Sequence, residues 1–136
     1  MPRKTDASNP ADWLYIASID MELLRHAAER ELSYLTVRGK LAEAFEKILK
    51  AELLRLGWTL VKTHDLRVLA KELRDRQSDL VPQVHPLATG LAEAYMIDRY
   101  PGFDLDDPDW PVLRAQVAEV SALLATVEAR VAAPPA

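Results

Sequence analysis

Apolar side chains recur at helical spacing along most of this sequence, and signals for β-strands are nearly absent. No run of β-branched residues alternates with polar ones, and no Asn-Gly or Asp-Gly pair marks a hairpin turn. The helical pattern breaks at five or six points, each marked by proline, glycine or a capping residue. The pattern therefore predicts an all-α protein, an up-and-down antiparallel bundle of four to five helices with short connections.

Capping residues indicate where the first two helices begin and end. Asn9 followed by Pro10 is typical of a helix start, because proline lacks only an N–H that has no partner there. This first helix should end near residues 28–31. A second, longer helix is expected over about 32–56, with Gly57 as its C-terminal cap.

The second half of the chain predicts three further helices. Thr63 should cap a third helix that frays near residues 76–78, and a fourth is expected over 87–100. The last helix should begin at Asp107 or Asp109. Its apolar residues step by four, three, four, three and four positions: Leu113, Val117, Val120, Leu124, Val127 and Val131. This heptad pattern is typical either of a helix packed within its own bundle or of a dimer seam.

Composition narrows the class of protein. The chain has 136 residues, of which 49% are hydrophobic and 28% charged, as expected for one globular domain. We expect this domain to cover residues 9–133, between a flexible N-terminus (1–8) and a disordered tail (134–136). With no cysteine, disulfides and thiol nucleophiles are excluded. No secretory signal or membrane-spanning run is visible, so a cytoplasmic protein is expected.

The net charge of -4 argues against broad binding to polyanions but allows a local basic cluster. The sequence contains no phosphate-binding glycine loop, no GxSxG and no HExxH motif. The acidic run over residues 104–109 is typical of a solvated linker rather than a calcium loop. We therefore expect neither a metal nor a cofactor.

Four segments, in this order and at these separations, resemble the HEPN domain family. They are ASIDMELL at residues 17–24, AEAFEKILKA at 42–51, KTHDL at 62–66 and AYMIDRYP at 94–101. The resemblance covers about residues 10–103. It implies an up-and-down helical bundle, often a homodimer, whose members frequently act beside a minimal nucleotidyltransferase partner.

A large branch of that family are metal-independent ribonucleases, many of them toxins, and the resemblance implies the motif on which they depend. Their catalytic arginine precedes a histidine by four to six residues. Here Arg55 stands nine residues before His64, and Arg76 nine before His85. No arginine precedes His26 within the required window. The sequence therefore favours a member that binds rather than cleaves.

Four residues are the candidate ligands for the phosphate of a nucleotide or of RNA: Lys47, Lys50, His64 and Arg99. Each also has a structural interpretation. The two lysines can form i,i+4 pairs with Glu43 and Glu46 on a solvated face. The histidine can serve as a structural residue at a helix start, and the arginine can bind carbonyls at a helix end.

Three further residues are expected to support this site: Asp20, Thr63 and Tyr100. Helical spacing puts Asp20 on an apolar stripe with Trp13, Ile16, Leu24 and Ala27, where an unpaired carboxylate would be costly. Lys50 or His64 is its expected partner. The aromatic residues Trp13, Trp58, Tyr95 and Trp110 are interpreted as core or interface rather than as stacking platforms.

The leading functional hypothesis is a non-catalytic HEPN-domain protein. It would bind a nucleotide or RNA phosphate, as a homodimer or beside a nucleotidyltransferase-like protein, in a toxin–antitoxin-like system. A divergent metal-independent ribonuclease toxin is the first alternative, with a histidine as base and an arginine stabilising the phosphorane. A helical adaptor that binds only protein is the second.

Overall fold

The computed structural model describes residues 4–133. Residues 1–3 of the predicted flexible N-terminus and the whole predicted disordered tail, 134–136, lie outside the described residues. The helices are α1 (Pro10–Glu29), α2 (Tyr34–Arg55), α3 (Leu66–Asp75), α4 (Val81–Leu91), α5 (Ala94–Ile97) and α6 (Trp110–Ala132). Residues 4–133 contain no strand. Five helices have ten or more residues and α5 is a single turn. The predicted all-α bundle is confirmed.

Helix α1 begins as its capping residues predict. The side chain of Asn9 accepts a hydrogen bond from the N–H of Ala11 at 3.0 Å, and Pro10 is the first helical residue. The prediction of its buried face was only partly right, since Ile16 is exposed and Trp13 only partly buried. The buried residues of this helix are Asp12, Leu14, Ala17, Met21, Leu24 and Ala28.

Helix α2 lies at the centre of the bundle and contacts every other helix. The apolar residues at helical spacing along it, Leu41, Phe45, Ile48, Leu49, Leu53 and Leu56, predict its core stripe. All of them are buried except Leu56, which is exposed beyond the end of the helix. The helix is capped by Leu56, and Gly57 directly after it adopts a φ of 91° that residues with a Cβ rarely tolerate. Two bonds close the helix there, from Gly57 N–H to the Leu54 carbonyl and from Trp58 N–H to the Leu53 carbonyl.

The heptad residues of α6 face the inside of their own bundle. Leu113, Val117, Val120, Leu124 and Val127 are buried, and Val131 is partly buried. They pack where α6 lies against α1 and α2. Because each buried Leu or Val contributes about 1.5–3 kcal/mol, this seam is a main source of the stability of the bundle. Of the two interpretations of the heptad, the intramolecular one holds.

The start of the third helix was predicted two residues too early. Asp65, rather than Thr63, is the N-cap of α3, and its carboxylate accepts the N–H of Arg67 at 2.9 Å. The hydroxyl of Thr63 instead accepts the N–H of Asp65 at 3.1 Å. Both side chains are capable caps, and a carboxylate adds the favourable interaction with the helix dipole.

The predicted fourth helix, 87–100, was wrong in its bounds. Helix α4 begins at Val81 and ends at Leu91, and the separate turn α5 follows. Pro82 and Pro86, which stand before and at the edge of the predicted helix, are typical of a connection, yet both lie inside α4. Pro82 falls in the first turn, where no N–H is needed, whereas Pro86 is the sixth of the eleven residues of α4 and forfeits one hydrogen bond in the middle of the helix.

A buried carboxylate joins α2 to α6. Glu52 is almost fully buried and pairs with Arg55 at 2.5 Å and with Arg130 at 2.7 Å. Arg130 also binds Asp79, in the connection before α4, at 2.6 Å and 2.9 Å. Hydrogen bonds to Asp79, with a further contribution from Glu52, raise the pKa of Arg130 above its ordinary value.

No helix within residues 4–133 is both long enough and apolar enough to cross a bilayer.

Candidate functional site

Three of the four predicted ligand residues meet at one open cavity. The cavity has a volume of about 210 Å³ and is lined by Lys40, Glu43, Glu46, Lys47, His64, Tyr95 and Arg99. We call these seven residues the cleft. Lys40, Glu43 and Lys47 follow one another at intervals of three and four residues, so they share one face of α2. The connection before α3 supplies His64, and α5 and the residues after it supply Tyr95 and Arg99.

Carboxylates hold the three longer cationic side chains of the cleft in place. Glu43 pairs with Arg99 Nη1 and, at 3.2 Å, with Lys40 Nζ. Lys47 Nζ lies 2.7 Å from Asp20 Oδ2 on α1. The predicted partner of Asp20, Lys50 or His64, was therefore wrong. The partner of Asp20 is instead Lys47, whose side chain crosses from α2 to α1.

His64 is oriented from two sides. Its Nδ1 lies 3.0 Å from Glu46 Oε1, and its ring stacks on Tyr95 with centroids 4.8 Å apart and planes 12° apart. The guanidinium of Arg99 lies over the same Tyr95 ring, 4.6 Å from its centroid. The side chain of His64 is nonetheless 62% exposed. An exposed, fixed imidazole beside cationic groups can both stack on a base and bind a phosphate oxygen.

Lys50 does not line the cleft, contrary to its prediction as a phosphate ligand. Its side chain is only 5% exposed, and its Nζ lies 2.9 Å from Glu46 Oε2 and 5.2 Å from the centroid of the Trp13 ring. Lys50 therefore acts behind the cleft. It pairs with the carboxylate of Glu46, which in turn contacts His64.

The supporting residues are only partly at the cleft. Asp20 does not line the cavity itself and interacts with it only by pairing with Lys47. The hydroxyl of Thr63 closes the turn that contains His64, and neither Thr63 nor Tyr100 lines the cavity. Tyr100 is about half exposed.

A second cavity adjoins the cleft. It has a volume of about 190 Å³ and shares three lining residues with the first, Lys40, Glu43 and Arg99; the others are Leu35, Thr36, Gly39 and Asp98. We call these three shared residues the ridge. A Cβ on Gly39 would stand 3.3 Å from the Cβ of Asp98, so a glycine at this position permits the close approach of α2 and the end of α5.

The side chain of Asp98 is fully buried at the edge of this second cavity and accepts two hydrogen bonds of 2.6 Å from Arg38. These bonds raise the pKa of Arg38 above its ordinary value, because they favour the charged guanidinium. Arg38 also reaches Asp106, at 3.2 Å. The negative charge beside the second cavity is thus already neutralised by a fixed arginine.

Sequence reasoning missed four residues of the cleft: Lys40, Glu43, Glu46 and Tyr95. The helical spacing of Lys40, Glu43 and Lys47 was a usable signal. The expectation that Tyr95 belongs to the core or an interface was incomplete, because its ring is half-buried and forms the wall under His64. No group of three or more His, Asp or Glu side chains within residues 4–133 could hold a metal ion.

A family model, that of the HEPN domain, matches residues 10–129. The chain belongs to the HEPN domain family. The match confirms the resemblance seen in the sequence and extends it over most of α6. Comparison with curated proteins and with solved structures finds no match.

Each of the four segments on which the HEPN resemblance rests contributes at least one polar side chain to this region. Asp20, Lys47, His64 and Arg99 come from the four segments in turn, and Asp20 reaches the cleft through Lys47. Segments far apart in the sequence therefore supply interacting polar groups at a single place in this HEPN domain.

Proposed function

We propose that this HEPN-domain protein binds a nucleotide or an RNA phosphate in the cleft without cleaving it. The observation that carries the proposal is the meeting of Lys47, His64 and Arg99 at one open cavity. Guanidinium and ammonium groups are the donors that proteins use for phosphate oxygens. The arginine–x4-6–histidine motif of the ribonuclease branch is missing, which supports binding over catalysis.

The charges around the cleft support a small anion as ligand. Four cations, Lys40, Lys47, Lys50 and Arg99, stand against three carboxylates, Asp20, Glu43 and Glu46. With His64 neutral, one net positive charge remains. This local excess contrasts with the net charge of -4 of the whole chain, so an anion is drawn to this place rather than to the surface at large.

Calorimetric titration with adenosine monophosphate and with inorganic phosphate tests this proposal. Lys47→Ala and Arg99→Ala should each weaken binding of adenosine monophosphate by roughly tenfold, since each removes a charge-assisted hydrogen bond. Arg114→Ala is the matched control, because Arg114 is as exposed as Arg99 and also pairs with a glutamate, Glu31, but lies outside the cleft. If Arg114→Ala weakens binding as much as Arg99→Ala, or if neither probe binds, the proposal is wrong. The alternative of a helical adaptor that binds only protein is then favoured.

We further propose that the protein acts as a homodimer or beside a nucleotidyltransferase-like partner, in a toxin–antitoxin-like system. Apolar side chains on the outer face of α1 support an interface, since Ile19 and Leu23 are both more than half exposed. Light scattering on the purified chain, compared with Leu23→Glu, tests the dimer. Affinity purification from the native source tests the nucleotidyltransferase-like partner.

One observation favours the ribonuclease alternative. Glu46 engages Nδ1 of His64, so a carboxylate orients the imidazole and leaves Nε2 as its acceptor in the neutral form. Such a base could take the proton of a 2′-hydroxyl as that oxygen attacks phosphorus and the 5′-oxygen leaves, with Arg99 stabilising the charge. RNA incubated with the protein and EDTA should stay intact under our proposal. Cleavage that disappears in His64→Ala would replace it with this alternative.

A further inference from the structure

The two adjoining cavities raise the question of how large the ligand is. Each cavity alone, at about 210 Å³ and 190 Å³, is smaller than the roughly 300–1,000 Å³ of common small-molecule sites, and the two together exceed the lower limit. The ridge side chains Lys40, Glu43 and Arg99 belong to both cavities.

The cationic groups of the second cavity are confined to the ridge. Its remaining lining residues are apolar or neutral except Asp98, whose carboxylate is occupied by Arg38. A second phosphate would therefore meet a carboxylate and no additional cation there. A neutral group, such as the sugar and base of a nucleoside, suits this cavity better.

The first cavity offers a surface for a base. His64 is stacked on Tyr95 and remains mostly exposed, so a nucleobase can extend the stack. The ridge then lies between two places for nucleosides. Lys40 and Arg99 on the ridge outnumber Glu43 by one charge, which matches the single negative charge of a phosphodiester better than the charge of nearly two on a phosphomonoester at neutral pH.

From this arrangement we infer that the ligand is a phosphodiester flanked by a nucleoside on each side, the repeating unit of a single-stranded nucleic acid, rather than a mononucleotide. The phosphodiester lies on the ridge, one base stacks on His64, and the other nucleoside fills the cavity beside Thr36 and Gly39. This inference rests on the proposed binding function and specifies its ligand.

Calorimetric titration with three probes tests the inference: adenosine monophosphate, the dinucleoside monophosphate ApA and a short oligoadenylate. ApA should bind the wild-type protein roughly tenfold more tightly than adenosine monophosphate, the gain expected from one additional stacked or enclosed base. An oligoadenylate that binds like ApA indicates a small dinucleotide, and one that binds still more tightly indicates a nucleic acid strand. Both results support the inference.

Thr36→Trp should fill the second cavity and abolish the advantage of ApA over adenosine monophosphate. The residue is exposed on α2, so the fold should tolerate the substitution. Thr89→Trp, at an exposed helical position on α4 outside both cavities, is the matched control and should keep the full advantage. Circular dichroism checks that both variants are folded.

The two proposals fail in different ways. If adenosine monophosphate binds and ApA binds no more tightly, the inference is wrong and the proposed function stands. An advantage of ApA that survives in Thr36→Trp also overturns the inference. If no probe binds the wild-type protein, both are wrong.

Discussion

Glu46 and Lys50 form an ion pair of 2.9 Å whose side chains are only 8% and 5% exposed. The other carboxylate oxygen of Glu46 engages His64, so the pair links the interior of the bundle to the cleft. Both residues belong to α2, one turn apart, and Trp13 of α1 covers the ammonium group. A buried charge that loses its partner is far more costly than the intact pair.

We therefore predict that Glu46→Leu destabilises the fold by about 3–5 kcal/mol, because it leaves the ammonium of Lys50 buried without a counter-charge. Lys50→Met should be similarly costly through the carboxylate it leaves behind. The double variant should regain most of the loss, since two apolar side chains fill the same space. Urea unfolding of the four proteins measures the cycle. A double variant as unstable as the sum of the single ones would contradict the buried-pair interpretation.

The second prediction concerns Glu43, the carboxylate on the ridge. Because it pairs with both Arg99 and Lys40, a bound phosphate must compete with it for the same donors. Glu43→Gln should therefore strengthen binding of adenosine monophosphate several-fold, which corresponds to about 1 kcal/mol of binding free energy. Calorimetry measures the change.

Glu31→Gln is the matched control for Glu43→Gln, since Glu31 also pairs with an arginine, Arg114, and neither residue lines the cleft. It should leave the affinity unchanged. A Glu43→Gln variant that binds more weakly would mean that Glu43 holds Arg99 and Lys40 in the binding geometry rather than competing with the ligand.

Local chemistry was enough to predict most of the helix bounds. Asn9 and Gly57 act on the backbone groups next to them, and Asp109, one of the two predicted starts of the last helix, caps α6 by accepting the N–H of Val112. The predicted bounds of the fourth helix were wrong because a proline is compatible both with a break between helices and with a position inside a helix. Pro82 and Pro86 read as breaks, and only the packing of α4 against α3 and α6 decides that they lie inside a helix.

The candidate site was less predictable, because its partners come from distant segments. Arg99 pairs with Glu43, 56 residues away, and no local spacing reveals that contact. Lys50 was expected at the surface because it has a favourable i,i+4 partner. Since α2 is surrounded by the other helices, that partner is buried together with it.

The third prediction concerns Gln77, which ends α3 in a conformation that suits glycine. Its φ is 56°, and two bonds close the helix around it, from Gln77 N–H to the Arg74 carbonyl and from Ser78 N–H to the Leu73 carbonyl. A left-handed residue with a Cβ costs about 1–2 kcal/mol. Gln77→Gly should therefore stabilise the protein by about 0.5–1 kcal/mol, after the greater freedom of glycine in the unfolded chain is deducted.

Gly57 provides the opposite test, since it ends α2 with the same pair of bonds. Nothing lies within 4 Å of the Cβ that Gly57→Ala would add, so its effect isolates the backbone strain. This variant should lose about 1 kcal/mol. Urea midpoints measured on both variants check the sign at each position, and a destabilised Gln77→Gly would show that the side chain of Gln77 contributes more than its backbone costs.

The fourth prediction concerns pH and rests on the contact between Asp79 and Arg130. Hydrogen bonds from Arg130 hold the pKa of Asp79 below its ordinary value of 3.8. A carboxyl group whose pKa is lower in the folded state stabilises the fold above its unfolded pKa, and this contribution disappears as the pH falls through the folded pKa. The wild-type protein should therefore melt at a higher temperature than Asp79→Asn at pH 7, and the difference should shrink below about pH 4.

Asp107→Asn, at an exposed aspartate without an ion pair in residues 4–133, is the control and should show no comparable change in its difference from wild type. An equal difference between wild type and Asp79→Asn at pH 7 and pH 3 would show that the asparagine acts through packing and not through the charge of Asp79.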